Sequence, residues 1–254
     1  GNGVAEAREQ LVLAPGERVE LMLNFSALAV GETAHLINKG PAFEPFKGLR
    51  ADGSLYLGEP TAEPSADPGK PLAPSKEIVE FRVQDQLAVK DEFHSTLKAD
   101  TLLNPNFVAL KESAASKTRR IGLFEGEDQW GRVHPLLGSA EDVLAPDGEI
   151  VKAGAVSWEA LATETPRLGS TEVWQVFNNT EDAHPLHLHL VEFQVLSRYK
   201  ISSVDLDQDG YLNDIGAELP LYPEDAGDQD TVWIGPGEGL KLIAKWDKAG
   251  SYVY

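Results

Sequence analysis

Apolar and polar positions alternate with a period of two along most of this chain. Val19, Leu21, Leu23 and Phe25 alternate with Glu20, Met22 and Asn24, directly after a turn at Pro15-Gly16. Val79, Phe81 and Val83 alternate with Glu80 and Arg82. Val191, Phe193 and Val195 alternate with Glu192 and Gln194, and Leu240, Leu242, Ala244 and Trp246 with Lys241, Ile243 and Lys245. Such alternation, bounded by Gly and Pro, predicts half-buried antiparallel strands packed as a β-sandwich. Gly235-Pro236-Gly237-Glu238-Gly239 lies between two strand patterns with no helix after it, so it reads as a turn and not as a phosphate loop.

Two stretches break the pattern. Residues 41–74 hold Pro41, Pro45, Pro60, Pro64, Pro68, Pro71 and Pro74, which a central strand cannot accommodate, so they predict a long surface excursion. Residues 85–118 show no sustained period and read as a connection between domains with a short helical piece. The expected organisation is therefore a partial domain over 1–84, a linker over 85–118 and a nearly complete sandwich over 119–254.

Charge changes the picture by exclusion. The 254 residues include 41 acidic against 22 basic side chains, a net charge of -19, which argues against a nucleic-acid surface because that affinity comes largely from Lys and Arg. A solvated, salt-adapted or extracellular surface accounts for the balance, and the expected location is extracellular, periplasmic or cell-surface. No cysteine is present, so disulfides and thiolate sites are excluded within these residues. No apolar run approaches the length of a membrane-spanning helix.

The candidate chemistry is concentrated in His184-Pro185-Leu186-His187-Leu188-His189, three of the six histidines within six residues. On a strand, His187 and His189 share a face, about 6.6 Å apart at roughly 3.3 Å per residue, while His184 has the opposite parity to them. One histidine can thus serve one site and two a second. Neutral imidazole is the commonest metal ligand, so a metal is the expected partner. His35, His94 and His134 stand alone and read as ordinary polar residues. Trp130, Trp158, Trp174, Trp233 and Trp246 read as packing residues. Asp205, Asp207 and Asp209, followed by Gly210, have the spacing of a calcium loop. The bidentate Glu expected at the twelfth position is replaced by Gly216, and a solvated acidic turn remains the competing reading.

Asn178-Asn179-Thr180-Glu181-Asp182-Ala183, the histidine cluster and Leu190-Val191-Glu192-Phe193-Gln194-Val195-Leu196 together resemble the third cupredoxin domain of multicopper oxidases. The likeness is to the bacterial spore-coat laccase, bilirubin oxidase and phenoxazinone synthase group. Leu123-Phe124-Glu125-Gly126, Pro135-Leu136-Leu137-Gly138, Thr163-Glu164-Thr165-Pro166-Arg167-Leu168-Gly169 and Asp230-Thr231-Val232 are similar to other parts of that domain. Leu11 to Arg18 is similar to the late second domain. The resemblance implies an all-β, cupredoxin-like Greek-key sandwich: 1–84 from domain two, and 119–254 most of domain three.

By the same resemblance His184 ligates a type 1 copper, His187 a type 2 copper and His189 a type 3 copper. The family continues beyond the Tyr254 position with a histidine-cysteine-histidine segment, and its first domain supplies further histidines. The remainder of the same polypeptide is therefore an expected partner, and these residues alone are expected to be inactive. The implied activity is a laccase-like coupling of one-electron oxidation of phenolic, aminophenolic or metal-ion donors to four-electron reduction of dioxygen. A non-catalytic copper-binding cupredoxin module is the alternative.

Overall fold

A computed structural model describes residues 4–40, 46–50, 54–58, 76–85, 98, 100–201 and 215–254. The chain forms two compact units, each with its own contacts. One comprises residues 1–4, 8–17 and 102–254, the other residues 5–7 and 18–101. The segment over 102–118 therefore belongs to the larger unit, whose first strand begins at Lys117.

The smaller unit contains β1 (Thr33–Ile37), β2 (Phe46–Leu49), β3 (Leu55–Leu57) and β4 (Glu77–Arg82). β1 pairs antiparallel with β4, and β2 with β3. β4 is the strand predicted around Val79 and Phe81. The strand expected over 19–25 is not formed. Val19, Leu21, Met22 and Leu23 are all exposed, and alternation alone makes no ladder where the backbone has no strand beside it.

The larger unit carries β5 (Lys117–Glu127), β6 (Val133–Ser139), β7 (Val143–Leu144), β8 (Ile150–Val151) and β9 (Gly154–Ala155). These are followed by β10 (Thr171–Asn178), β11 (His184–His187), β12 (Phe193–Ile201) and β13 (Ile215–Leu219). Last come β14 (Asp228–Gln229), β15 (Thr231–Ile234) and β16 (Glu238–Lys245). A 3-10 turn at Glu112–Ala114 is the short helical piece. One sheet runs β13-β12-β16-β10-β5-β6-β9, with β14 beside β12, and β11 pairs with β15 in a separate ladder.

The all-β expectation holds, with one departure from antiparallel pairing. β5 and β10 pair in parallel, Trp174 beside Arg119 and Val176 beside Ile121, because the β6–β9 excursion returns the chain to the same end of the sheet. β10 is covered on both faces. Its Trp174 and Val176 join Ile121, Leu240 and Leu242 on one side, while Phe177 meets Tyr199 and Ala140 on the other. The β11–β15 ladder closes over the first of these faces through Leu186, Val232 and Ile234. Those two layers make the sandwich, and the histidines sit on the smaller one. Trp174 and Trp233 are buried as packing residues should be, whereas Trp130 is 70% and Trp158 82% exposed, on turns that reach no core.

Candidate metal centre

β11 is short because Pro185 removes a ladder donor and because the chain leaves extended geometry soon after His187. Leu190 adopts a left-handed backbone (φ 71°), which is costly for a bulky residue and bends the chain away from the strand. Four residues still find register with β15: His184 opposite Ile234, Pro185 opposite Trp233, Leu186 opposite Val232 and His187 opposite Thr231. His184 shares strand parity with the buried Leu186, and His187 faces the other way.

His187 lies on β11 and His189 beyond it, so strand parity applies to His184 and His187 alone. His187 and His189 bring their rings to 4.7 Å between centroids, inclined at 62°. His189 lies beyond the end of β11, and its backbone N–H donates to Val253 O at 3.3 Å. His184 stands apart, with Nε2 at 2.7 Å from Thr180 Oγ1 and 3.3 Å from Glu125 Oε1. Among the described residues no three His, Asp or Glu side chains converge on one metal-sized centre.

Two of the rings, those of His184 and His187, are held by hydrogen bonds. His187 Nδ1 is 2.9 Å from Asp230 O and 2.8 Å from Thr231 Oγ1, which leaves Nε2 directed outward. The loop before His184 is built on Asn178, which is fully buried. Its Nδ2 donates to Asp182 O at 2.8 Å and Ile234 O at 2.9 Å, and its Oδ1 accepts from Thr180 N and Oγ1 at 3.0 and 2.7 Å. Metal-ligating histidines commonly hold their second ring nitrogen in this manner, so the donor set fits a metal that prefers imidazole, copper included.

Beneath the ladder lies a buried ion pair. Arg198 donates through Nε and Nη2 to the two carboxylate oxygens of Asp225, both at 2.7 Å. Its guanidinium lies 4.9 Å from the rings of both Tyr222 and Trp233, and Trp233 is the β15 partner of Pro185. Glu17 reaches the same region, accepting from Ala14 N at 2.7 Å. Burial raises its carboxyl above the ordinary value of 4.5, against backbone donors at Ala14 and Trp233 that pull it down.

Sequence reasoning singled out the three histidines but missed Thr180, Thr231, Asn178 and Glu125. Thr180 stands four residues before His184, a spacing that the loop alone brings into contact. Asp205, Asp207 and Asp209, and His94, lie outside the described residues. His35 has Glu80 at 3.8 Å, and His134 sits exposed on β6. An open hollow of about 550 Å³, lined by Val108, Leu110, Leu190, Gln194 and Asp228, shares Asp230 with the His187 site.

Residues 147–254 match the family model described as multicopper oxidase. A laccase of Bacillus subtilis (strain 168) is 29% identical over 243 residues, 95% of this chain and 38% of that protein. A laccase of Haloferax volcanii is 28% identical over 239 residues, 94% of this chain and 30% of that protein. Among solved structures, the McoA multicopper oxidase of Aquifex aeolicus aligns over 90% of this chain and 37% of its own, at 20% identity and a TM-score of 0.45. The chain thus spans well under half the length of the curated relatives it matches.

Proposed function

The chain belongs to the multicopper oxidase family through residues 147–254, and on that premise we propose that it is part of a laccase-like oxidase. The parent protein takes single electrons from phenolic, aminophenolic or metal-ion donors and delivers four of them, with four protons, to dioxygen to form two waters. The observation that carries this reading is the separation of His184 from the His187–His189 pair, within the very residues the family model matches.

In this proposal His184 helps hold the type 1 copper that accepts electrons. His187 and His189 contribute to the type 2 and type 3 coppers where dioxygen is reduced. Bound copper supplies one-electron redox chemistry and a binding place for oxygen. The chain's own residues do the positioning: Thr180 and Glu125 anchor the His184 ring, while Asp230 and Thr231 anchor that of His187. Three imidazoles leave each centre short of donors, and the 254 residues contain no cysteine. The remaining ligands, a type 1 thiolate among them, come from other segments of the same polypeptide. The site of action is extracellular, periplasmic or at the cell surface. For Asp205, Asp207 and Asp209, calcium titration decides between a calcium loop and a solvated acidic turn.

The test is made on the complete protein loaded with copper. Intense blue absorption from thiolate-to-copper charge transfer and dioxygen uptake driven by a phenol are the expected results. Stoichiometric copper in a colourless protein that consumes no oxygen with any phenol defeats the proposal.

A further inference from the structure

Two threonines stand behind the histidines in matching arrangements, and their hydrogen bonds determine where each ring carries its proton. Thr231 Oγ1 donates to Asp230 Oδ1 at 2.9 Å. A hydroxyl has one hydrogen, so toward His187 Nδ1, at 2.8 Å, Thr231 Oγ1 can only accept. The second neighbour of that nitrogen is the carbonyl of Asp230 at 2.9 Å, which also only accepts. Nδ1 of His187 is therefore the protonated nitrogen, and Nε2 holds the lone pair.

At His184 the same logic runs through the other nitrogen. Asn178 cannot be flipped, because its Nδ2 faces two carbonyl oxygens, so its Oδ1 is the acceptor at Thr180. The hydroxyl hydrogen of Thr180 goes to Asn178 Oδ1 at 2.7 Å or to Asp182 O at 3.0 Å. Both are acceptors, and in either case the hydroxyl accepts from His184 Nε2. The carboxylate of Glu125 is a second acceptor at the same nitrogen, 3.3 Å away. His184 is protonated at Nε2, with the lone pair on Nδ1.

We propose that Thr180 and Thr231 are positioning residues that lock His184 and His187 in opposite imidazole tautomers, so that Nδ1 of one and Nε2 of the other face copper. Both threonines are 4% exposed. The lock matters most at His187, because an imidazole in water favours the Nε2–H form and would direct its proton at the metal. The purpose of the lock rests on the copper reading above, but its existence is measured without copper.

The experiment is long-range proton–nitrogen correlation of the histidine rings in metal-free protein labelled with nitrogen-15 histidine, with His184→Gln and His187→Gln for assignment. The expected spectrum shows a pyrrole-like Nε2 and pyridine-like Nδ1 for His184, and the reverse for His187. Thr231→Val, which keeps the side-chain shape but leaves Asp230 O beside Nδ1, moves the His187 pair part of the way toward an exchange average and lowers copper affinity by about 10-fold. Thr231→Ser restores both. Thr180→Val exposes the His184 Nε2–H to rapid exchange with water, and Thr180→Ser protects it again. Identical tautomers at the two rings overturn the proposal, and so does a Thr231→Val variant whose His187 resonances do not move. Opposite tautomers in a complete protein that refuses copper would instead remove the oxidase reading and leave the lock standing.

Discussion

Replacing Asp225 with alanine is expected to loosen the histidine ladder from beneath. Asp225 and Arg198 have side chains only 2% and 1% exposed, and they meet through two parallel bonds of 2.7 Å. Removing the carboxylate strands a guanidinium between the rings of Tyr222 and Trp233, with Glu238 Oε2 as a distant partner at 3.9 Å. Breaking one side of such a buried pair costs about 3–5 kcal/mol, because the surviving charge stays desolvated. For a unit of this size that corresponds to a fall in melting temperature on the order of 6–20 °C. Urea unfolding followed by tryptophan fluorescence reads the loss. The double variant Arg198→Met/Asp225→Leu separates charge from shape, since removing both partners recovers most of the stability. A loss below about 1 kcal/mol for Asp225→Ala would place the pair among solvent-screened surface bridges and refute the reasoning.

Asn178→Ala removes the side-chain partner of two carbonyls and of the Thr180 N–H, while the Thr180 hydroxyl can still donate to Asp182 O. At about 1–3 kcal/mol for each buried group left unpaired, chemical denaturation should show one of the largest losses in the chain. Glu17 gives a pH signature. Its folded pKa is raised by burial, so its stabilising increment is complete below the ordinary value of 4.5 and is lost as pH rises through the higher folded value. Glu17→Gln should flatten that part of the stability curve, as urea midpoints measured at several pH values above 4.5 would show, and an unchanged slope would contradict it. Gly138→Ala places a Cβ 2.0 Å from Gly154 O, and the β6–β9 pairing should be lost at a cost of about 1–3 kcal/mol in the same assay. Trp158→Ser should change stability by no more than about 0.5 kcal/mol, since the ring is 82% exposed.

The sequence made the central strands legible where alternation met real burial. Leu240, Leu242 and Ala244 all face the core, and the rings of His187 and His189 stand side by side. The same alternation misled at Val19 to Phe25, because period two records what a strand would need and not whether a ladder exists beside it. Around Val195 it hid the fact that Gln194 is itself buried, fastened to Leu110 N and Asp228 Oδ1. The parallel β5–β10 pairing could not be read from either strand, since register is decided by the excursion between them. At the candidate metal centre the histidines announced themselves by clustering. Their anchors did not: Thr231 is some forty residues downstream of His187, and Glu125 about sixty upstream of His184.

The pairing of His184 with Ile234 has a consequence for how the protein is made. About fifty residues separate the two, so at roughly 5–20 residues per second the second half of the ladder leaves the ribosome some 2.5–10 s after the first. During that interval His187 has neither Asp230 nor Thr231 to orient it. The candidate metal centre therefore takes its shape only once synthesis has passed β15.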